Sequence, residues 1–469
     1  MAMTTQRRTA GRIAAGWPAF TGPRGVSRLP FFAICLIWAG AALALQPIDD
    51  FVRGAEATHP ELQEANAVRA QRDAEKHMAT WRLLPSFAAS GSYTRNQYEI
   101  VVTFPDRSGP EPIIAQDQFD AALELSVPLV NVAAWEAKAA SSAQLDLADA
   151  SAEVTRLDLR RRVARSYYQL VATSAVRRVA EQSLVLARES ASVATARRND
   201  GAATQLEVER ATAEVARAEQ DVTAATLSET LARRELRTLT GVEPAGVGEF
   251  PVDDLHPEAP LPEWTALTDS VPRLEAARAA ERAAQKQTSA AKASLYPILS
   301  GSAKERFTNA TALYGAEAFY AFQVGLTWKL DGASYYATKA ASAQVTAAQA
   351  RELGSRQRVE DDIFAAWHQV AAGLERARAA RRQAEAAERA RELAQSQYSE
   401  GMVVQLDALT ARQTAFAADV ARIQVDADLA YSRALLRILA ARELSAAGPR
   451  GEAPRTRSAT KTNERETAP

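Results

Sequence analysis

The sequence predicts a mainly α-helical chain of very long helices carrying four β-strands that must pool with strands of other chains. Three observations predict it. No proline or glycine interrupts the chain between Pro128 and Gly201, alternating apolar and polar residues precede each long helical stretch, and the chain contains two copies of one unit. Composition narrows the function classes. Lys plus Arg is 56 against 57 for Asp plus Glu, so no net basic charge points to nucleic acid. One cysteine excludes a disulfide framework, and four histidines leave little material for metal chemistry.

The first 30 residues carry Arg7, Arg8, Arg12, Arg24 and Arg28 and no acid, followed by an apolar run from Phe31 to Leu45. That run is about 15 residues, short of the ~20 that cross a bilayer as a helix. With Ala42-Leu43-Ala44 as a small-x-small site, residues 1–44 are expected to be a signal peptide cut after Ala44. The basic region is long enough for Val26 to be an alternative start. Cys35 follows Phe32-Ala33-Ile34, a poor match to a lipidation signal. An exported chain with no remaining cysteine suits a bacterial envelope.

The duplication keeps its order throughout. His59-Pro60-Glu61-Leu62 matches Val271-Pro272-Arg273-Leu274, and Lys138-Ala139-Ala140-Ser141 matches Lys339-Ala340-Ala341-Ser342. Asp200-Gly201 with Gln205-Leu206-Glu207 matches Glu400-Gly401 with Gln405-Leu406-Asp407. The offset is larger in the first match, so the first copy carries a longer insert between Pro85 and Phe119, expected to be a loop. The units are expected at 45–240 and 271–444. Between them a Pro/Gly-rich linker, 241–270, is expected to run across the outside of the helices. Residues 445–469 have too little apolar content to fold.

Each unit holds one long helix. From Ala133 to Arg198 it would be roughly 100 Å long. After the Gly201 turn a heptad begins, Val208, Val215 and Val222, with Ala211, Ala218 and Ala225 three behind each. The second copy has Leu409, Phe416, Ile423 and Ala430, with Val420, Ala427 and Ala434. Seven-residue spacing specifies coiled-coil packing, and alanine lets axes approach closely; an ordinary helical bundle would use the same positions.

Ahead of the long helices, Phe119, Leu123, Leu125 and Val127 alternate with Asp120, Glu124 and Ser126. Tyr320, Phe322, Val324, Leu326, Trp328 and Leu330 alternate with Gln323, Gly325, Thr327 and Lys329. These are strands with one apolar and one polar face, and Phe87–Arg95 and Leu299–Phe307 are their partners. Four strands cannot close a barrel. In a transmembrane barrel Tyr320 and Trp328 would be the interfacial aromatics; the alternative is a small soluble sheet capping the helices.

Two copies of helix, hairpin, long helix, glycine turn and heptad helix in an exported chain resemble the TolC-like outer membrane efflux protein family. The resemblance covers about residues 47–444. Val127-Pro128-Leu129-Val130-Asn131 and Trp328-Lys329-Leu330-Asp331-Gly332 look like the family's Pro-Leu-Phe-(Asn/Asp)-Gly lead into the long helix. It implies a homotrimer whose twelve strands form one outer-membrane barrel above an α-helical coiled-coil barrel through the periplasm. The turns at Gly201, with Thr204 and Leu206, and at Gly401, with Leu406, would meet a periplasmic adaptor that links the duct to an inner-membrane pump. Leu206 and Leu406 would pack beneath the turns. Tyr398 and Asp407 fall where the family narrows its tunnel, and three Asp407 carboxylates would attract cations.

Other chemistry is weakly supported. Asp253-Asp254-Leu255-His256 lies in a proline-rich linker without further His or Cys nearby, so no metal or other cofactor is expected. No phosphate loop or Gly-x-Ser-x-Gly nucleophile turn appears, and no enzymatic activity is expected. A conduit for type I protein secretion shares this architecture. A coiled-coil scaffold outside any membrane would explain the heptads but not the duplicated strands.

Overall fold

The computed structural model describes residues 45–103, 105, 109–246, 253–311, 315–329 and 331–442. The expected signal peptide with Cys35, the expected tail at 445–469, and Leu330 lie outside these residues. In order, the elements are α1 (Ile48–Thr58), α2 (Pro60–Trp81), β1 (Ser86–Arg95), β2 (Ile100–Thr103), β3 (Pro110–Ile114), β4 (Asp117–Val130), α3 (Val132–Asn199) and α4 (Gln205–Thr240). There follow α5 (Leu261–Thr265), a 3-10 turn at Thr268–Ser270, α6 (Pro272–Ala293), β5 (Ile298–Thr308), β6 (Ala318–Thr327), α7 (Gly332–Ser399) and α8 (Gln405–Leu439).

The duplication is visible as two helices of equal length, α3 and α7, each of 68 residues. Both start the same way. Asn131 Oδ1 accepts from the Ala134 N–H at 2.9 Å, and Asp331 Oδ1 accepts from the Ser334 N–H at 2.6 Å. An Asn or Asp after each second strand is thus an N-cap that satisfies an otherwise orphaned donor. Both helices also stop the same way. Gly201 and Gly401 take φ of +75° and +78°, while the Ala202 N–H reaches back to the Arg197 carbonyl and the Met402 N–H to that of Gln397. A left-handed glycine with this backward bond terminates a helix and frees the chain to reverse.

α3 packs antiparallel on α4, and α7 on α8, through small residues. Ala211, Ala218, Ala225 and Ala232 are buried at seven-residue spacing on α4, with the valines of the predicted heptad half-buried beside them. On α8, Leu409, Ile423, Ala427 and Ala434 are buried. α1, which the periodicity does not reveal, closes the first copy. Its Phe51 is buried with Leu159, Val163, Leu170 and Leu236, and its ring meets that of Tyr167 at a tilt, with centroids 5.8 Å apart. Among the described residues no helix is long and apolar enough to cross a membrane.

The strands form one antiparallel sheet in the order β1-β4-β5-β6, so the two hairpins join through β4 and β5. The expected strand pairs are present. β4 is longer than expected, reaching Val130 after a register shift at Pro128. The insert of the first copy is not simply a loop: β2 and β3 form their own hairpin.

Candidate functional site: the sheet, the tip turns and the linker clasp

The sheet has two chemically distinct faces. Tyr93 opposes Phe119, Phe87 opposes Leu125, and Leu125, Ala303 and Phe322 lie abreast on three strands. This register places most of the aromatic and aliphatic residues of all four strands on one face, while Phe319, opposite Arg306, and Ile298, opposite Thr327, stand on the other. On β6 and just beyond it, Tyr320, Phe322, Val324, Leu326 and Trp328 are 58–79% exposed, although they are the most apolar residues of the segment. The opposite face carries Asp120, Glu124, Lys304 and Arg306, with Arg306 Nη2 2.7 Å from Asp120 Oδ1 and Lys304 Nζ 3.9 Å from Glu124. Glu305 is the exception, standing on the apolar face opposite Tyr320 near the loop end.

Tyr320 and Trp328 bracket this face. Eight strand residues span roughly 27 Å, and a tilt of about 40° reduces the height to roughly 20 Å, close to the ~25 Å apolar band of a membrane barrel. Trp328 donates its indole N–H to the Leu295 carbonyl at 2.9 Å, satisfying its polar group at the helical end of the sheet. Tyr93 and Phe119, with ring centroids 5.0 Å apart, stand near the other end; sequence reasoning did not single them out as a pair because their strands are separated by the insert.

At the far end of the helices the two turns are tied together. Tyr398 is 4% exposed, and its hydroxyl donates to Glu207 Oε2 at 3.2 Å. Its carbonyl accepts from Arg197 Nη1 at 2.9 Å, and the Arg197 guanidinium lies 4.9 Å from the Tyr398 ring centroid. Burial, with the Glu207 charge, pushes the Tyr398 hydroxyl above its usual range, so it remains a donor. Gln405 is buried and donates to the Glu207 carbonyl at 2.7 Å. Glu207 also closes a capping box with Thr204, whose Oγ1 accepts from the Glu207 N–H at 3.3 Å. One carboxylate thus caps α4 and holds α7.

Several sequence-predicted tip residues sit elsewhere than expected. Leu206 and Leu406 do not pack beneath the turns; they are 57% and 51% exposed. Gln405 takes the buried slot on α8 and turns Leu406 outward. Asp407 is exposed, as are Gly201, Gly401 and Thr204. Arg197, Glu207 and Gln405 were missed, although Thr204-Gln205-Leu206-Glu207 carries the Ser/Thr-x-x-Glu signature of a capping box.

The linker is clasped by Arg433, which is 5% exposed on α8. It lies 2.9 Å from Asp253 Oδ2 and 2.5 Å from Glu258 Oε1, and donates to the His256 carbonyl at 2.6 Å. Arg381 donates to the Asp253 carbonyl at 2.8 Å and to Asp426 Oδ1 at 2.9 Å. Trp264 and Val271 are buried with Ile363, Val370 and Leu436. Asp253, Asp254 and His256 have ligand atoms within 4.8 Å of one another, but Asp253 pairs with Arg433, and His256 bridges Asp254 Oδ1 at 2.5 Å and Arg433 Nη1 at 3.1 Å. Those groups hold the linker onto α7 and α8.

A sheet with an exposed apolar face, joined to two helical hairpins of roughly 100 Å, defines a class: channels that pair membrane strands with a helical duct. The chain belongs to the outer membrane efflux protein family, whose described region matches residues 52–242 and 266–442, one copy after the other. It is an efflux channel of the bacterial outer membrane with a periplasmic helical extension. Members of this family are trimeric channels that work with adaptor and inner-membrane pump partners.

Solved structures share the fold. The chain is 17% identical to the CmeC outer membrane channel of Campylobacter jejuni, with a TM-score of 0.73 over 86% of this chain and 87% of that one. It is 19% identical to the outer membrane protein VceC of Vibrio cholerae, with a TM-score of 0.69 over 84% and 96%. It is 18% identical to the MtrE outer membrane channel of Neisseria gonorrhoeae, solved in an open state, with a TM-score of 0.65 over 86% and 90%. No curated protein matches the chain.

Proposed function

We propose that three copies of this chain pool their sheets into a twelve-stranded barrel and that the tip turns form the gated inner end of the duct. The observation that carries this is the sheet: it has an exposed apolar face, and the outer edges of β1 and β6 have no partner strand among the described residues. Unpaired edges are a liability in water and cannot face lipid, whereas closure removes them. Tyr320 and Trp328 sit at the two membrane surfaces. Conduction is passive, driven by an inner-membrane pump through an adaptor that docks on the exposed turns at Gly201, Thr204 and Leu206, and at Gly401 and Leu406. Asp407 faces the aperture with its two symmetry mates.

Tyr398 bears on the aperture by a different route than projecting into it: it ties α7 to Arg197 and Glu207. Breaking that tie frees the second hairpin. The double variant Arg197→Ala with Tyr398→Phe removes one hydrogen bond to a carboxylate and one from a guanidinium, each worth about 1.5–3 kcal/mol. In planar bilayers its single-channel conductance is expected to rise severalfold over the parent. Equal conductance would show that the tie does not control the opening.

A further inference from the structure

An open cavity of about 790 Å³ lies between α3, α6 and α7, within the roughly 300–1,000 Å³ of small-molecule sites. Trp367, which donates to the Ala259 carbonyl at 2.9 Å, marks the linker side of α7. Arg358 of the cavity wall stands nine residues before it, about two and a half helical turns, and so on the opposite side. The apolar lining is short: Ala276, Ala280 and Ala284 of α6 and Ala348 of α7, with Leu147 and Val154 of α3. Gln144, Gln287 and Gln344, with Ser151 and Ser355, add neutral hydrogen-bonding groups.

The charge on this wall is one-sided. Its acid is Asp362, and its cations are Arg273, Arg351 and Arg358. Arg273 lies 2.9 Å from Asp158 and 3.3 Å from Asp362, which leaves Asp362 with a cation of its own. Arg351 and Arg358 are exposed and make no ion pair or hydrogen bond among the described residues. They stand on one side of α7, roughly 10 Å apart along its axis. Asp361, exposed one turn beyond Arg358, does not line the cavity. Glu64 belongs to the adjoining groove between α2 and α3. At the places of Arg351 and Arg358 in α7 the first copy has Ser151 and Asp158 in α3, so this pair of free cations is peculiar to the second copy.

We propose that this cavity binds an elongated organic anion with a flat apolar body, its carboxylate or sulfonate groups on Arg351 and Arg358 and its body on the alanines of α6. A guanidinium fork matches a carboxylate and also lies well against an aromatic face. In a duct that wears its linker on the outside, the cavity opens to the bore, and such anions are its cargo. That last step rests on the channel reading above; the binding does not, because the site lies within one chain.

The test is the fluorescence anisotropy of fluorescein, an aromatic carboxylate that is a dianion at mildly alkaline pH, titrated with the purified protein in nonionic detergent. Empty micelles give the baseline, and the planar cation proflavine is the probe of opposite charge. Fluorescein is expected to bind saturably, more weakly as added salt screens the charges, and proflavine to bind far less. Arg351→Gln and Arg358→Gln are each expected to weaken fluorescein binding severalfold, and the double variant by about tenfold. Both positions are exposed, so these variants keep the parent's thermal midpoint. Ala280→Phe fills the cavity while keeping both guanidiniums, and is expected to abolish binding. No saturable signal, equal affinity for the two dyes, or binding that survives in the double variant or in Ala280→Phe would overturn the proposal. The cargo step is read in planar bilayers, where fluorescein is expected to lower the current through the parent and not through the double variant; an unchanged parent current would overturn that step. A protein that binds fluorescein yet opens no channel would sink the duct reading and leave the site standing.

Discussion

Val324→Arg is expected to abolish outer-membrane assembly, while Gln323→Arg, one residue away, is tolerated. Val324 lies four residues from both Tyr320 and Trp328, on the exposed apolar face, opposite Gly301. In a barrel that position is the middle of the lipid-facing band, where a cationic side chain costs about 2–4 kcal/mol, repeated in every chain. Gln323 points to the other face, with Lys304 and Arg306, where another charge meets a polar interior. The readout is the amount of unheated oligomer in the outer-membrane fraction. If both variants assembled equally, the apolar face would not be in contact with lipid.

The second large effect is expected in the linker clasp. Arg433→Met leaves the Asp253 side chain, only 14% exposed, without its cation, and Glu258, 11% exposed, with Arg437 alone at 4.0 Å. Removing one partner of a buried ion cluster costs about 3–5 kcal/mol, far more than the intact cluster contributes relative to an apolar replacement. The apparent melting point at fixed scan rate is expected to fall by several degrees, and the linker to become sensitive to protease. Adding Asp253→Asn and Glu258→Gln to Arg433→Met is expected to recover much of the loss, because the stranded charges are then gone. A melting point unchanged by Arg433→Met would mean that the linker is held by its other contacts, the buried Trp264 and the hydrogen bonds from Arg381 and Trp367 to the Asp253 and Ala259 carbonyls.

Much of this architecture was legible in the sequence because it rests on local rules. Long helices follow from the spacing of Pro and Gly, and the observed start and stop of α3, Val132 and Asn199, lie within a residue of the range read from that spacing. Strand faces follow from a period of two. What the sequence hid depends on distant partners. β4 pairs with β5 across the whole of the first copy's helices, and no local signal announces it. The β2–β3 hairpin is masked by Pro105, Gly109, Pro110 and Pro112, which punctuate like a loop. At the tip, Tyr398 meets Arg197 and Glu207 from the other copy. The family resemblance implies Leu206 and Leu406 beneath the turns, but the buried series on α8 runs through Gln405, Ala408, Leu409 and Arg412, one position out of step with Leu406. The clasp of Asp253, His256 and Glu258 on α7 and α8 rests on Arg433, which gave no sign in a helix already rich in arginine.

The central claim is that the exposed sheet becomes a membrane barrel by pooling three chains. Its most direct measurement is the mass of the protein, expressed from the whole sequence in a bacterium with an outer membrane, extracted from the separated outer membrane in detergent, and compared with and without heating. The account predicts an outer-membrane species of about three monomer masses that collapses to one on heating. A soluble monomer or dimer in the periplasm would contradict it.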